Sequence, residues 1–190
     1  MYNIPGLTSN KVQKFLNSIC GQANSYLEIG SYLGATAVAA LDGNTLNAYF
    51  VDMWSEHIQT ARDDLDEVPE NNKETFINNV KKYKGNNSIN VFDSDLFNVD
   101  ISEMKDIEVF FYDGPHDFET TSKAVQYYAS IFAREAILIF DDANFDGVVH
   151  GANDGLSKAG LNIKYKRILL TDQMENEKEL WNGLYIVIIE

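Results

Sequence analysis

An acid and a histidine follow an apolar run in VFFYDGPHDFE, residues 109–119. Asp113 ends that run, and Asp141 and Asp142 end a second one, AILIF. If the two runs are neighbouring parallel strands, about 4.8 Å apart, the three carboxylates share one rim of a sheet. Such a cluster either raises its own pKa values or binds a cation, and hard divalent metals take oxygen ligands. We therefore predict a magnesium site, with simple capping of the following helices as the alternative.

His116 lies one short turn beyond Asp113. An imidazole with an unperturbed pKa of about 6.5 can accept a proton from a substrate hydroxyl at neutral pH. We predict that His116 is a general base beside the metal. The alternative is a surface histidine at the start of a helix.

A glycine-containing turn follows the first apolar run, in LEIGSYLGATAV. Gly30 and Gly34 flank it, and backbone N–H groups at a helix start can approach a ligand closely. The dinucleotide fingerprint G-x-G-x-x-G fails at Tyr32, which argues against NAD or FAD. Glu28 adds a carboxylate that suits a positively charged ligand. A purely structural turn is the alternative.

Polar residues also end the next two runs. Asp52 closes NAYFVD, where a carboxylate can accept hydrogen bonds from both hydroxyls of a ribose; a helix N-cap is the alternative. Asp93 and Ser94 in VFDSD are candidate partners for an adenine amino group, and turn capping explains them equally well. Trp54 either covers a nucleoside or belongs to the core.

These residues need a scaffold that brings strand ends together, and the apolar pattern predicts one. Short runs rich in Ile, Val, Phe and Tyr alternate with amphipathic helical stretches, which is typical of a parallel sheet covered on both faces. In the last forty residues, LNIKYKRILL and LWNGLYIVIIE predict an antiparallel pair closing one sheet edge. We expect a three-layer α/β fold with a doubly wound, mostly parallel, seven-stranded sheet, in one domain over 1–190 with a helical segment at 1–23. The predicted strands are 25–30, 47–52, 89–95, 107–113 and 136–142, followed by the antiparallel pair.

Composition limits the partners. The 190 residues are 45% hydrophobic, and 15 basic against 29 acidic residues give a formal charge of -14, which repels nucleic acid and anionic membranes. Cys20 is the only cysteine, so no internal disulfide forms. The apolar runs are too short to span a membrane, and the first residues lack the pattern of an export signal. We expect a cytoplasmic protein that acts on a small molecule. The polar segment 55–72 is interpreted as a solvated helix, with a mobile lid as the alternative.

Together, the blocks LEIGSYLGATAVAAL, YFVDMW, FFYDGPHDFE and ILIFDDAN resemble class I S-adenosylmethionine-dependent methyltransferases. More narrowly, they are similar to the branch that includes the metal-dependent macrocin and mycinamicin O-methyltransferases and the cephalosporin hydroxylase-like proteins. The resemblance covers about residues 24–190. It implies a Rossmann-like methyltransferase fold, S-adenosylmethionine and magnesium as cofactors, and self-association in some members. The roles it implies are magnesium binding by Asp113, Asp141 and Asp142, a base at His116, the amino-acid end of the cofactor at Glu28, Gly30, Ser31 and Gly34, its ribose at Asp52, and its adenine at Asp93 and Ser94.

The implied reaction is methyl transfer to an oxygen of a small hydroxylated substrate. Two features depart from the resemblance: Arg134 and Glu135 stand where glycines are common, which predicts an altered surface turn, and the short region before Gly30 leaves little chain for a substrate cover. A cofactor-binding or accessory protein without transferase activity is the main alternative. A nucleotide-binding oxidoreductase and a hydroxylase are weaker ones.

Overall fold

The computed structural model describes residues 4–54 and 71–190. Helices and strands alternate along this part of the chain. The helices are α1 (Asn10–Cys20), α2 (Ala35–Leu41), α3 (Asn72–Lys82), α4 (Phe118–Tyr128) and α5 (Asp146–Lys158), with a 3-10 turn at Ala129–Ile131. The strands are β1 (Ser25–Ile29), β2 (Asn47–Asp52), β3 (Ser88–Asp93), β4 (Ile107–Tyr112), β5 (Phe132–Asp141), β6 (Ile163–Leu169) and β7 (Leu184–Ile189).

All seven strands form one sheet in the order β3-β2-β1-β4-β5-β7-β6. The first five are parallel, while β7 runs antiparallel to both β5 and β6. The predicted seven-stranded sheet with an antiparallel C-terminal pair is thus confirmed. None of the described helices is both long and apolar enough to cross a membrane.

β5 begins four residues earlier than predicted. Phe132 pairs with Ile107 and packs its ring 5.2 Å from that of Phe110, which draws the chain into the sheet. The register then shifts before the ladder resumes. Arg134 and Glu135 therefore lie exposed in an irregular part of β5, and the expected surface turn at these residues is wrong.

Every strand except β6, which is largely exposed, sends alternate side chains to two cores. In β1, Leu27 and Ile29 join the core beneath α4 and α5, whereas Tyr26 joins the core beneath α1, α2 and α3. Both cores consist of buried aliphatic and aromatic side chains, each contributing about 1.5–3 kcal/mol on burial. The sheet apart from β6 is therefore covered on both faces, and its carboxyl edge remains available for function.

Strand order reverses between β1 and β4, which run side by side and whose connections leave in opposite directions. Gly30 follows β1 there with φ +83°, and a Cβ on it would lie 2.0 Å from the carbonyl oxygen of Asp113. Only glycine fits this approach. A crevice at the carboxyl ends of the strands opens at such a switch point.

Candidate functional site

A cavity of about 740 Å³ lies at the carboxyl edge of the sheet. Its walls come from the glycine turn, from the segments after β2, β3, β4 and β5, from N-terminal residues 6–8 and from the loop between β6 and β7. Seven of the predicted site residues line it: Gly30, Ser31, Asp52, Ser94, Asp113, His116 and Asp142. The other four, Glu28, Gly34, Asp93 and Asp141, lie outside its lining.

Asp52 holds the glycine turn. Its Oδ2 accepts hydrogen bonds from the backbone N–H groups of Ser31 at 2.8 Å and Tyr32 at 2.7 Å. Burial raises the pKa of Asp52, and these hydrogen bonds oppose that rise. The carboxylate thus couples the end of β2 to the turn after β1, at the wall of the cavity. The alternative of a helix N-cap concerns the residues after Trp54, which lie outside the described part of the chain.

Glu28 stands behind this turn, fully buried. Its Oε2 accepts a hydrogen bond from the Tyr26 hydroxyl at 2.5 Å, and its Oε1 accepts one from the Thr36 hydroxyl at 2.9 Å. Burial raises the pKa of Glu28 to about 7 although both hydrogen bonds lower it. Glu28 therefore joins β1 to α2. It does not line the cavity itself, but its partner Thr36 does.

Gly34 has a conformational role in the structure. It precedes α2 with φ +91°, and a Cβ on it would lie 3.1 Å from the ring of Phe76. Trp54 packs on the same ring at 4.8 Å and donates its Nε1–H to the Tyr32 carbonyl at 2.6 Å. Trp54 is buried in the core, so the core interpretation of this residue is confirmed.

Of the two residues predicted after β3, Ser94 lines the cavity and Asp93 does not. Asp93 is exposed, and its Oδ2 lies 2.9 Å from Lys73 Nζ. Ser94 donates its backbone N–H to the Asp52 carbonyl at 3.0 Å, and Asp95 and Leu96 follow it along the cavity wall. Asp95 accepts the N–H of Phe97 on its Oδ1 at 2.8 Å. Asp95 and Leu96 were missed because the sequence locates a strand end only to within a residue or two.

The chemical centre of the site is a group of three side chains. Asp113, His116 and Asp142 each present a ligand atom, and these atoms all lie within 4.8 Å of one another. His116 Nε2 is 2.7 Å from Asp142 Oδ2. Two carboxylates and an imidazole at this spacing suit a divalent cation.

Asp141 is not a member of that group. It is buried, its Oδ1 accepts the N–H of Asp142 at 2.9 Å, and its Oδ2 is among the few buried side-chain oxygens without a hydrogen-bond partner in the described residues. Burial raises the pKa values of Asp113 and Asp141 well above the usual range, and repulsion among the neighbouring acids raises them further. Such a cluster must take up protons or a cation.

The alternative of helix capping by Asp113 and Asp142 is wrong. The N-cap of α4 is Asp117, whose Oδ1 accepts the N–H of Thr120 at 2.9 Å. The residue at the N-cap of α5 is Phe145, which makes no side-chain capping bond. The two acids thus lie at the cavity for another reason than capping.

Further residues complete the lining of the cavity. Phe145 stacks on His116 with 4.8 Å between the ring centroids and an interplanar angle of 24°. Trp181 and Asn182 enter the cavity from the loop between β6 and β7, and sequence reasoning missed them. Nothing in the local pattern marks them, since their position depends on the antiparallel placement of β7.

The N-terminal segment also contributes. Gly6, Leu7 and Thr8 line the cavity, and Gly6 approaches Ala35 so closely that a Cβ on it would be 2.6 Å from the Ala35 Cβ. Three residues of the short region before Gly30 thus reach the cavity, because the chain passes close to the start of α2. The expectation that this region leaves little chain for a substrate cover stays a prediction.

Comparison with known proteins bears on this arrangement. Residues 27–143, more than half of the chain, match the family described as Methyltransferase domain. No curated protein matches the sequence. Among solved structures, an O-methyltransferase from Bacillus cereus in complex with SAH aligns with a TM-score of 0.65 at 14% identity, covering 99% of this chain and 85% of that one.

Two other solved structures are similar. A methyltransferase from Geobacter sulfurreducens gives a TM-score of 0.65 at 13% identity, with 95% of this chain and 79% of that one covered. The magnesium protoporphyrin IX methyltransferase of Synechocystis, with bound SAM, gives 0.58 at 12% identity, with 93% and 78% covered. At these identities the likeness establishes the fold.

Proposed function

This chain belongs to the methyltransferase-domain family, and we propose that it transfers a methyl group from S-adenosylmethionine to an oxygen of a small hydroxylated substrate with the help of a divalent metal. The observation that carries the proposal is the meeting of Asp113, His116 and Asp142 within 4.8 Å, on a cavity that the glycine turn also lines. The glycine turn suits the methyl donor, and the three side chains suit the activation of a hydroxyl.

The cofactor is assigned to the glycine-turn side. Gly30 and Ser31 bring backbone close to the cavity, and Asp52, whose Oδ2 binds the turn, is the carboxylate assigned to the ribose. Ser94 and Asp95 lie where the adenine would follow. In the described residues, the lining contains five carboxylates and no lysine or arginine, which suits the positive sulfonium: Asp52, Asp95, Asp113, Asp142 and Glu175.

The metal is assigned to Asp113 and Asp142. Asp141, the third acid that the sequence predicted as a ligand, lies outside the cavity lining and accepts the N–H of Asp142. The clustered carboxylates, with raised pKa values at Asp113 and Asp141, fit a hard cation such as Mg²⁺. When bound, the cation would act as a Lewis acid that favours the ionised form of a substrate hydroxyl. Glu28 and Gly34 support the cofactor wall from behind.

His116 takes the hydroxyl proton. Because Nε2 lies 2.7 Å from Asp142 Oδ2, the neutral imidazole keeps its hydrogen on Nε2 and offers Nδ1 as the basic atom. The substrate oxygen then attacks the methyl carbon. The carbon–sulfur bond breaks, its electron pair stays on sulfur, and S-adenosylhomocysteine leaves. Phe145, stacked on the imidazole, restrains the ring during this step.

The proposal is tested first by ligand stabilisation. S-adenosylhomocysteine should raise the unfolding temperature in proportion to the logarithm of its concentration, and NADH should not. The second step supplies S-adenosylmethionine with a labelled methyl group, Mg²⁺ and three acceptor classes: a sugar diol, a catechol and a hydroxy acid. Transfer to one class supports an O-methyltransferase. Binding of the cofactor without transfer to any class would favour the non-catalytic alternative.

A further inference from the structure

We infer that Asn182 is a positioning residue that sets the carboxylate of Asp142 for metal binding. This inference rests on the proposed function, since Asp142 is there a metal ligand. Asn182 makes no contact with the transferred methyl in this account. It acts through Asp142 alone.

The sheet topology explains why Asn182 is there. β7 is antiparallel to β5, with Leu184 opposite Asp141, so β7 begins at the edge where β5 ends. The pairing continues beyond both strands, because the Ala143 N–H donates to the Gly183 carbonyl at 3.2 Å and the Asn144 N–H donates to the Asn182 carbonyl at 2.8 Å. A residue just before β7 is thus carried to the residue just after β5.

The amide of Asn182 has one orientation. Its Oδ1 accepts the backbone N–H of Glu175 at 2.6 Å, which only an oxygen can do. Its Nδ2 must then face the other way, and it donates to Asp142 Oδ1 at 2.6 Å. Both side chains are buried, with Asn182 7% exposed and Asp142 6% exposed, so little water competes for these bonds.

This bond divides the two oxygens of Asp142. Oδ1 is engaged by Asn182, and Oδ2 is left toward His116 and the metal group. Asp142 has φ +58°, an unusual conformation for a residue with a side chain, and such conformations persist only where the surroundings hold them. Residues that orient a metal ligand in this way typically change metal affinity about 10- to 100-fold.

A purely structural role would be to hold the loop between β6 and β7, and Asn144 offers the matched control. Its Nδ2 donates to the Thr171 carbonyl at 2.8 Å, and its Oδ1 accepts the Thr171 N–H at 3.1 Å. With a third hydrogen bond, from its Nδ2 to the Thr171 hydroxyl at 3.2 Å, Asn144 fastens the same loop, but its side chain makes none to Asp142. Loss of loop anchoring alone should look the same in both alanine variants.

The experiment titrates Mn²⁺, as a stand-in for Mg²⁺, calorimetrically into the protein saturated with S-adenosylhomocysteine. Asn182→Ala should weaken Mn²⁺ binding about 10- to 100-fold, while Asn144→Ala changes it less than about threefold. Affinity for S-adenosylhomocysteine, measured separately, should stay near the wild-type value in both. Equal loss of Mn²⁺ affinity in the two variants, or no loss in Asn182→Ala, would overturn the inference.

A double-mutant cycle shows whether Asn182 acts through Asp142. In the Asp142→Ala background, adding Asn182→Ala should cause no further loss of Mn²⁺ affinity, whereas independent roles would add. Asp113→Ala in the same titration separates a failure of the proposed metal site from a failure of the role proposed for Asn182. If it binds Mn²⁺ as the wild type does, the proposed metal site is wrong and the inference is wrong with it. If Asp113→Ala loses Mn²⁺ and Asn182→Ala does not, only the role of Asn182 is wrong.

Discussion

His116 Nε2 lies 2.7 Å from Asp142 Oδ2, so the histidine after β4 meets the acid after β5 at the carboxyl edge of the sheet. The two residues are 26 positions apart in the chain, and only the parallel pairing of β4 with β5 brings them together. The same contact aims the second ring nitrogen away from Asp142. This geometry underlies the assignment of His116 as the base.

Replacing His116 should lower turnover without weakening cofactor binding. His116→Ala is expected to lower kcat about 10²- to 10⁴-fold, the range typical for a general base, with little change in the Kd of S-adenosylhomocysteine. His150→Ala is the control, since this exposed histidine on α5 lies outside the cavity lining. Single-turnover assays with the accepted substrate measure the effect. Unchanged turnover in His116→Ala would remove this residue from the mechanism.

Asp52 and Asp93, at the ends of the adjacent strands β2 and β3, should differ in their contribution to the affinity for S-adenosylhomocysteine. Asp52→Ala removes the acceptor for the N–H groups of Ser31 and Tyr32, and we expect S-adenosylhomocysteine to bind at least about tenfold more weakly. Asp93→Ala should bind normally because its carboxylate pairs with Lys73 outside the cavity lining. Calorimetric Kd values for both variants decide this. Equal weakening would place Asp93 at the cofactor after all.

Glycine at position 30 should be required by geometry. Gly30→Ala would bring a Cβ to 2.0 Å from the Asp113 carbonyl oxygen, in addition to the cost of a positive φ. Gly43→Ala is the control: it shares a positive φ of 75°, but nothing lies within 4 Å of the added Cβ. We expect Gly43→Ala to cost about 1 kcal/mol in the free energy of unfolding and Gly30→Ala about 2 kcal/mol more. Similar urea midpoints for the two variants would contradict the close approach at Gly30.

The buried acid behind the turn should make stability depend on pH. Burial raises the pKa of Glu28 to about 7, above its ordinary value of 4.5. Between these values the folded chain holds a proton that the unfolded chain has released, so this group lowers the free energy of unfolding as pH rises from about 4.5 to about 7. The expected loss is on the order of 3 kcal/mol, and it is complete above pH 7.

Glu28→Gln removes that titration while keeping the size of the side chain. The difference in unfolding free energy between this variant and the wild type should therefore move in favour of the variant from pH 5 to pH 8. Urea unfolding at intermediate pH values measures it. A difference that is constant with pH would show that Glu28 does not titrate in this range in the folded protein.

The resemblance to class I methyltransferases, the sheet and most strand ends were predictable from the sequence, and the comparisons and the fold confirm them. Buried parallel strands leave short apolar runs, and the acids at their ends necessarily reach one edge of the sheet. Asp113 and Asp142 followed from this rule alone. His116 followed from its distance of three residues from Asp113.

Other parts of the site were not predictable because they depend on long-range packing. Asn182 reaches Asp142 only because β7 inserts antiparallel beside β5, and no local pattern near Asn182 records that pairing. Asp95 was missed in favour of Asp93, because the sequence locates the end of β3 only to within a residue or two and Asp95 lies in the turn after it. The interpretation of residues 55–72 as a solvated helix or a lid lies outside the described chain, apart from Asn71 and Asn72 at the start of α3.

The central claim is that one cavity binds both the methyl donor and a metal held by the acids after β4 and β5. The most direct test is a calorimetric titration of S-adenosylhomocysteine into the wild type and Asp113→Ala, each with and without Mg²⁺, followed by titration of Mg²⁺ into the complex. We predict micromolar binding of S-adenosylhomocysteine to the wild type and a Mg²⁺ heat that Asp113→Ala lacks. Absence of S-adenosylhomocysteine binding, or a Mg²⁺ heat unchanged in Asp113→Ala, would contradict the account.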